Sequence, residues 1–386
     1  IFCANTYHNK NEYINTEGSK YTTRLLNGIP FVFVRTSLAI GNGLDRIKNM
    51  VLFYKNLLSV AKHYIKFNNR PDIILASSVH PLTLVAGIKI AKKFRVPCIC
   101  EVRDLWPEAI FAFSKLKENS LIGKLLVKGE HWIYRNADAL IFTKEGDTDY
   151  IKEKKWDIQQ GGDIDLRKAY YINNGVDLKA FNYSIENIML EDSDLDSQKF
   201  NVVYVGAIRP VNNVGNILDA AHELIEHKDI QFLIYGDGNQ RKDLERRVEK
   251  ERLTNVKMKG FVNKKYIPYI LSKSSVNILN YSQKQYNWSR GNSSNKLFEY
   301  MASGRPIIST VKMGYSIINR YKCGLEIEDA SGKDLANAIL KIKEMDEREY
   351  NILAENAKKG SEDFDFNVLT NKLIKVIEET SIGIGV

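Results

Sequence analysis

The spacing of apolar residues constrains this chain more than any single motif. Short apolar runs of strand length recur at residues 31–34, 73–76, 97–102, 139–142 and 169–172, with helical patterns between them, notably at 45–66 and 82–94. A parallel strand buried on both faces reads as a continuous apolar run, and the 3.6-residue period that follows it marks the crossover helix. A second series starts at 201–205 and continues at 230–235, 256–258, 276–279 and 307–309. Two successive α/β units with parallel sheets are therefore expected. A length of 386 residues with 44% hydrophobic content is enough for two cores.

The boundary is marked by charge. Residues 182–198 contain no Lys or Arg, while Glu186, Glu191, Asp192, Asp194 and Asp196 accumulate there, the pattern of a solvated linker. The expected division is a first domain at 1–185, a linker at 186–198 and a second domain at 199–365. A last helix at 366–386 is expected to pack back toward the first domain. The chain opens at Ile1, inside a strand-like run at 1–4, so a preceding strand is expected.

Other classes are disfavoured by composition. The net charge of +9 comes from lysines spread along the chain, without the compact basic and aromatic clusters of a nucleic-acid binder. Cys3, Cys98, Cys100 and Cys323 show neither a disulfide framework nor zinc-ligand spacing, which points to a reducing, cytoplasmic setting. No apolar run has the length of a spanning helix. Asp163/Asp165, Asp194/Asp196 and Asp363/Asp365 have the Asp-x-Asp spacing of some metal sites, but none follows a buried strand at a nucleotide site. They read as surface carboxylates, and no metal is expected.

Chemistry concentrates at strand ends of the second domain. Residues 201–210, NVVYVGAIRP, carry a strand into Gly206 and Arg209. Residues 232–238, FLIYGDG, end at Gly236, Asp237 and Gly238, where glycines allow close approach to the backbone. Gly260-Phe261-Val262 closes a third strand. In residues 291–308, GNSSNKLFEYMASGRPII, a polar loop runs through Ser294, Asn295 and Lys296 into a helix bearing Glu299. The free N–H groups of a helix N-terminus suit a phosphate, and a carboxylate one turn in can accept from a ribose diol.

This ordered set resembles the C-terminal domain of GT-B fold, family 4-type retaining glycosyltransferases. Residues 171–177, YINNGVD, resemble the segment before that family's interdomain crossing. Residues 101–108, EVRDLWPE, resemble the bacterial subgroup that builds O-antigen and capsule repeats, including fucosamine transferases. The resemblance implies a GT-B fold, two Rossmann-like domains whose parallel sheets face a cleft, here without the first strand. It also implies that Glu299 holds the ribose and that Arg209 and Gly206 border the donor diphosphate. Two departures stand out. Gly291 occupies the place of the family's first motif glutamate, which suggests a deoxy or acetamido donor sugar. The family's lysine falls at the uncharged Val214-Gly215, and Lys296 is expected to supply the missing cation.

In the first domain, His80 and the pair Arg103-Asp104 follow strands and are the candidate catalytic, acceptor-side residues. His80 precedes Pro81, which favours an extended backbone that projects it from the loop. Asp104 is expected to contact the acceptor, to cap a helix starting near Trp106-Pro107, or to do both. Residues 110–134 mix Leu121, Ile122, Leu125 and Leu126 with Lys115, Lys117, Lys124 and Lys128. They read either as a core-packed helix or as a basic amphipathic surface for an anionic inner leaflet.

The expected reaction is metal-independent transfer of a sugar from a UDP-linked donor to an undecaprenyl-diphosphate-linked acceptor, with retention and no cofactor. The competing readings are a UDP-sugar 2-epimerase of similar fold and a nucleotide-sugar-binding protein without turnover.

Overall fold

A computed structural model of the chain describes residues 1–7, 11–41, 43–78, 80–114, 116–195, 198–283, 288–328 and 330–382; Lys115 and Asp196 lie outside the described residues. The chain forms two compact units. One comprises Ile1–Thr143, Ile151–Tyr171 and the chain from Ile374 on, and the other comprises Lys144–Tyr150 and Ile172–Leu373.

The first unit runs β1 (Phe2–Ala4), β2 (Tyr21–Leu26), β3 (Ile29–Val34), α1 (Leu44–Tyr64), β4 (Ile74–Ser77), α2 (Pro81–Phe94), β5 (Cys98–Val102), α3 (Trp106–Phe113), α4 (Leu121–Asn136) and β6 (Ala139–Phe142). It continues through the end of α5 (Asp147–Glu153) to β7 (Ala169–Tyr171). β2 and β3 form an antiparallel hairpin whose turn residues Asn27 and Gly28 have φ of 49° and 79°. Both are left-handed, as a two-residue type I′ turn requires. β1 adds to β3 in parallel, and β4-β5-β6-β7 form a separate parallel sheet. Among the described residues β1 and β4 pair with nothing on their other edges. A cavity of about 880 Å³ is lined by Phe2 and Ala4 of β1, Ser77 of β4, Phe53 of α1 and Trp106 of α3. Phe53, Leu57 and Val60 of α1 pack with Ala86 and Ile90 of α2 and with Val32 and Val34 of β3.

The second unit runs α6 (Leu178–Asn187), β8 (Phe200–Val205), α7 (Val214–Glu223), β9 (Ile230–Tyr235), α8 (Arg241–Lys250), β10 (Val256–Gly260), α9 (Ile267–Ser272) and β11 (Val276–Leu279). Then follow α10 (Asn295–Ala302), β12 (Ile307–Ser309), α11 (Ile317–Tyr321), β13 (Gly324–Glu326), α12 (Gly332–Lys343), α13 (Glu347–Glu362) and the start of α14 (Phe366–Ile382). All six strands are parallel, in the order β10-β9-β8-β11-β12-β13. Side chains alternate across a strand, so β8 serves two cores. Val202 and Tyr204 join Ile217 and Leu218 of α7 and Leu335 and Ile339 of α12. Val203 and Val205 join Ile270 of α9 and Leu297, Phe298 and Met301 of α10.

Three sequence expectations are corrected here, the last of them in part. The boundary at residue 185 falls within α6, and Phe181 of that helix is buried in a core of the second unit. The acidic stretch is no solvated linker. Lys259 reaches from β10 to Asp192 and Asp194 at 2.6 Å each, Tyr235 Oη donates to Asp192 at 2.9 Å, and Leu195 is buried. Of the paired aspartates, Asp163 and Asp363 are exposed as expected, and Asp365 is the exception. Asp163 meets His131 and Arg135, and Asp365 is buried and accepts from the backbone N–H groups of Leu178 and Asn367.

Candidate functional site

In the second unit the chain runs outward from β8 through β9 to β10, then returns to lay β11, β12 and β13 on the other side. Strand order therefore reverses between β8 and β11. At such a reversal the loops leaving neighbouring strands part in opposite directions, opening a crevice at the carboxyl ends. Gly206 and Arg209 leave β8 there, Asn280 and Tyr281 leave β11, and the N-terminus of α10 adjoins both through Lys296.

The glycines at these ends have a steric reason. A Cβ on Gly236, at φ +150°, would lie 1.8 Å from the Gly206 carbonyl oxygen. One on Gly238 would lie 2.2 Å from the Ile208 carbonyl oxygen. The backbones are in direct contact, with Gly206 N donating to Tyr235 O (3.0 Å), Ile208 N to Asp237 O (2.9 Å) and Gly236 N to Gly260 O (2.8 Å). Asp237 Oδ1 accepts from the N–H of Gly238 at 2.8 Å. These glycines thus weld three strand ends together, and their own N–H groups are already engaged. An anion here must draw on side chains and on α10.

Lys296 is the side chain so placed. Its ammonium stands 4.2 Å from the ring centroid of Tyr281 and 5.0 Å from that of Tyr204. With the Asn212 amide oriented to satisfy both of its ends, Asn212 Oδ1 accepts from Lys296 Nζ at 3.0 Å and its Nδ2 donates to Ala207 O at 3.0 Å. Burial without a carboxylate partner brings the Lys296 pKa down to about 7, and burial pushes the Tyr281 phenol up to about 12. Ser294 is the N-cap of α10 but makes no side-chain cap bond. The first turn therefore keeps donors and a positive dipole end for a ligand.

The remaining second-unit candidates are dispersed around this point. Arg209 is exposed on the β8 loop. Glu299 lines a cavity of about 240 Å³, with Asn295, Lys264 and Lys265 among its other walls. Lys264 Nζ lies 3.8 Å from the Glu299 carboxylate, and burial raises the pKa of Glu299. Neither Arg209 nor Lys296 lines that cavity. Val262 packs on the core beside the exposed Phe261. Sequence reasoning missed Tyr204, Tyr281 and Asn212. Tyr281 lies just past an apolar run, but its value depends on β8 and β11 being neighbours.

In the first unit, His80 and the Arg103-Asp104 turn follow the adjacent parallel strands β4 and β5. His80 has the extended backbone expected before Pro81, with φ −157°, yet its ring does not project from the loop. It is buried edge-on against Phe53, its Nδ1 has no partner among the described residues, and burial followed by the Arg46 charge lowers its pKa to about 4. It is a neutral imidazole at pH 7. Arg103 and Asp104 are exposed, with Arg103 N accepted by Ser78 Oγ at 3.0 Å. The N-cap position of α3 is held by Leu105 rather than by Asp104. His80 lines the 880 Å³ cavity and Asp104 does not. No group of three or more His, Cys, Asp and Glu suited to a metal occurs among the described residues, and no helix among them is long and apolar enough to cross a membrane.

Residues 186–360, within the second unit, match the family model described as Glycosyl transferases group 1. TuaH of Bacillus subtilis, named for a glycosyltransferase of teichuronic acid biosynthesis, is 26% identical over 55% of this chain; the alignment spans only 50% of that relative. An uncharacterized glycosyltransferase of Methanocaldococcus jannaschii is also 26% identical, over 96% of this chain and 89% of its own length. Among solved structures, Anabaena Alr3699/HepE in complex with UDP superposes with a TM-score of 0.66 at 16% identity, covering 91% of this chain and 87% of that one. The fold is that of GT-B glycosyltransferases.

Proposed function

We propose that this protein transfers a sugar from a UDP-linked donor to a lipid-linked oligosaccharide in the assembly of a bacterial surface polysaccharide, with retention at the anomeric carbon. The observation that carries the reading is the Lys296 ammonium, held beside Tyr281 and Asn212 at the open end of α10, where strand order reverses. A nucleoside diphosphate needs such a cation, together with free N–H donors and a carboxylate for its ribose. The HepE complexes with UDP and UDP-glucose agree in fold, and the teichuronic acid relative agrees with a polysaccharide role.

In this reading the bond from C1 of the sugar to the β-phosphate oxygen breaks, and a bond from C1 to the acceptor hydroxyl oxygen forms on the same face. The acceptor proton passes to the departing phosphate. Lys296, Arg209 and the α10 N-terminus stabilise the charge developing on that leaving group, without a metal. Glu299 accepts from the ribose, while His80, Arg103 and Asp104 serve the acceptor side. Exposed Leu121, Ile122 and Leu125 of α4, beside Lys124 and Lys128, favour the membrane-surface alternative over a core-packed helix.

The test is a mass-spectrometric screen of nucleotide sugars against undecaprenyl-diphosphate-linked sugars. A product heavier by one sugar, formed only with both partners present, is expected. Donor binding without transfer to any acceptor would favour a binding protein, and conversion of the donor alone would favour an epimerase.

A further inference from the structure

We infer that Asn292 is a donor-contacting residue, its side-chain amide donating to a phosphate oxygen of the nucleoside diphosphate; this rests on the function proposed above. Asn292 is 6% exposed and lies in the loop before α10, one residue after Gly291, which has φ +98°. Every other polar atom of its side chain and its carbonyl is committed. Its Oδ1 accepts from Ser294 N at 2.7 Å, and its carbonyl accepts from Asn173 Nδ2 at 2.9 Å. Next to it, Asn174 Nδ2 donates to Ser293 O at 2.5 Å. The bond from Ser294 N fixes which way the amide faces, because a backbone N–H requires the oxygen end.

Nδ2 is left over. It is sealed from bulk solvent and has no acceptor in hydrogen-bond geometry among the described residues. Burial raises the pKa of the Tyr281 hydroxyl and the Asn292 side chain lowers it by less, but the hydroxyl stands outside hydrogen-bond geometry with Nδ2; the Tyr281 ring carries the Lys296 ammonium on its face. An unpaired N–H pair is therefore held by three fixed backbone contacts next to a cation and an uncapped helix N-terminus. All three features favour an anionic oxygen acceptor over a sugar hydroxyl. The loop is held from behind as well. Gly291 N donates to Trp288 O at 3.2 Å, and Gly146 N donates to Arg290 O at 3.1 Å. Asn173 and Asn174 act as positioning residues through this loop.

The experiment is calorimetric titration of UDP and of uridine into the full chain and two variants. Asn292→Asp keeps the oxygen that Ser294 N needs and replaces the N–H donor by an anionic oxygen. UDP affinity is expected to fall about 10- to 100-fold in Asn292→Asp and less in Asn292→Ala, with uridine affinity unchanged in both. Equal UDP affinity in wild type and both variants overturns the assignment, as does an equal loss for UDP and uridine, which would mark a purely structural role. Should Asn292→Asp not fold, the Asn292→Ala comparison of UDP with uridine decides alone. A wild-type chain that binds no UDP at all sinks the proposed function itself, an outcome distinct from the first two.

Discussion

The Lys296 ammonium faces the Tyr281 ring at 4.2 Å, with an amide oxygen of Asn212 as its hydrogen-bond acceptor. The groups packed around it are phenols and amides, and no ion pair of Lys296 with a carboxylate occurs among the described residues. The rings and the amide oxygen offset its desolvation only in part, so the proton is held loosely until an anion arrives.

A proton is therefore taken up when UDP binds above neutrality. With the free-state pKa at about 7, binding at pH 8 draws a proton onto Lys296. Calorimetry in buffers of differing ionisation heat should show this uptake, and Lys296→Met should abolish it and weaken UDP about 10- to 100-fold. Wild-type binding heats independent of buffer would contradict the placement. The stability linkage has a definite sign. The folded pKa lies below the unfolded 10.5, so the unfolded chain binds more protons between about 7 and 10.5, and the Lys296 contribution to stability rises with pH across that window.

Glu299 predicts discrimination at the ribose. A carboxylate accepting from both hydroxyls should prefer UDP to 2′-deoxy-UDP by about tenfold or more, and Glu299→Ala should erase that preference. Competition binding with the two nucleotides measures it. An undiminished preference in the variant would remove Glu299 from the ribose.

The former linker is a structural clamp. Lys259 bridges Asp192 and Asp194, so Lys259→Met should destabilise the second unit by about 1–3 kcal/mol at pH 7. The Asp192 carboxyl has a folded pKa below its ordinary 3.8; burial opposes this shift, and the bonds from Lys259 and Tyr235 outweigh it. Its contribution is full above pH 3.8 and fades as pH falls through the lower folded value. Denaturant midpoints of wild type and variant should therefore converge below pH 3.8.

α4 offers a membrane test. Leu121, Ile122 and Leu125 are 89%, 61% and 70% exposed. Replacing all three with Ser should leave the melting temperature within a few degrees, since little apolar contact is lost. Co-sedimentation with vesicles containing anionic lipid should drop at least about tenfold, because each buried aliphatic side chain contributes about 1.5–3 kcal/mol. Equal sedimentation of both proteins would dismiss this surface.

The α/β alternation was legible because parallel strands and their crossover helices leave different periods in the sequence. The β2–β3 hairpin was legible too, in the Asn27-Gly28 pair between Leu26 and Ile29, yet it escaped a reading tuned to long apolar runs. What sequence could not supply was adjacency. That Tyr281 and Tyr204 flank one lysine follows only from β11 lying beside β8. Charge misled at residues 186–198, where the lysine that neutralises the acidic run sits about sixty residues later. Pattern gave the position of His80 but not its burial, which depends on α1 lying across it.

The path of the chain limits how this protein can be taken apart. The strap Lys144–Tyr150 leaves the first unit, completes the second and returns. Gly146 there meets the Arg290 carbonyl, Tyr315 Oη donates to Asp149 at 2.5 Å, and Arg320 pairs with Glu145 at 2.6 Å. A second unit expressed from residue 172 onward would lose all three partners at once. No single cut in the polypeptide releases either unit whole, so separating the two needs at least two breaks and the loss of the strap's contacts.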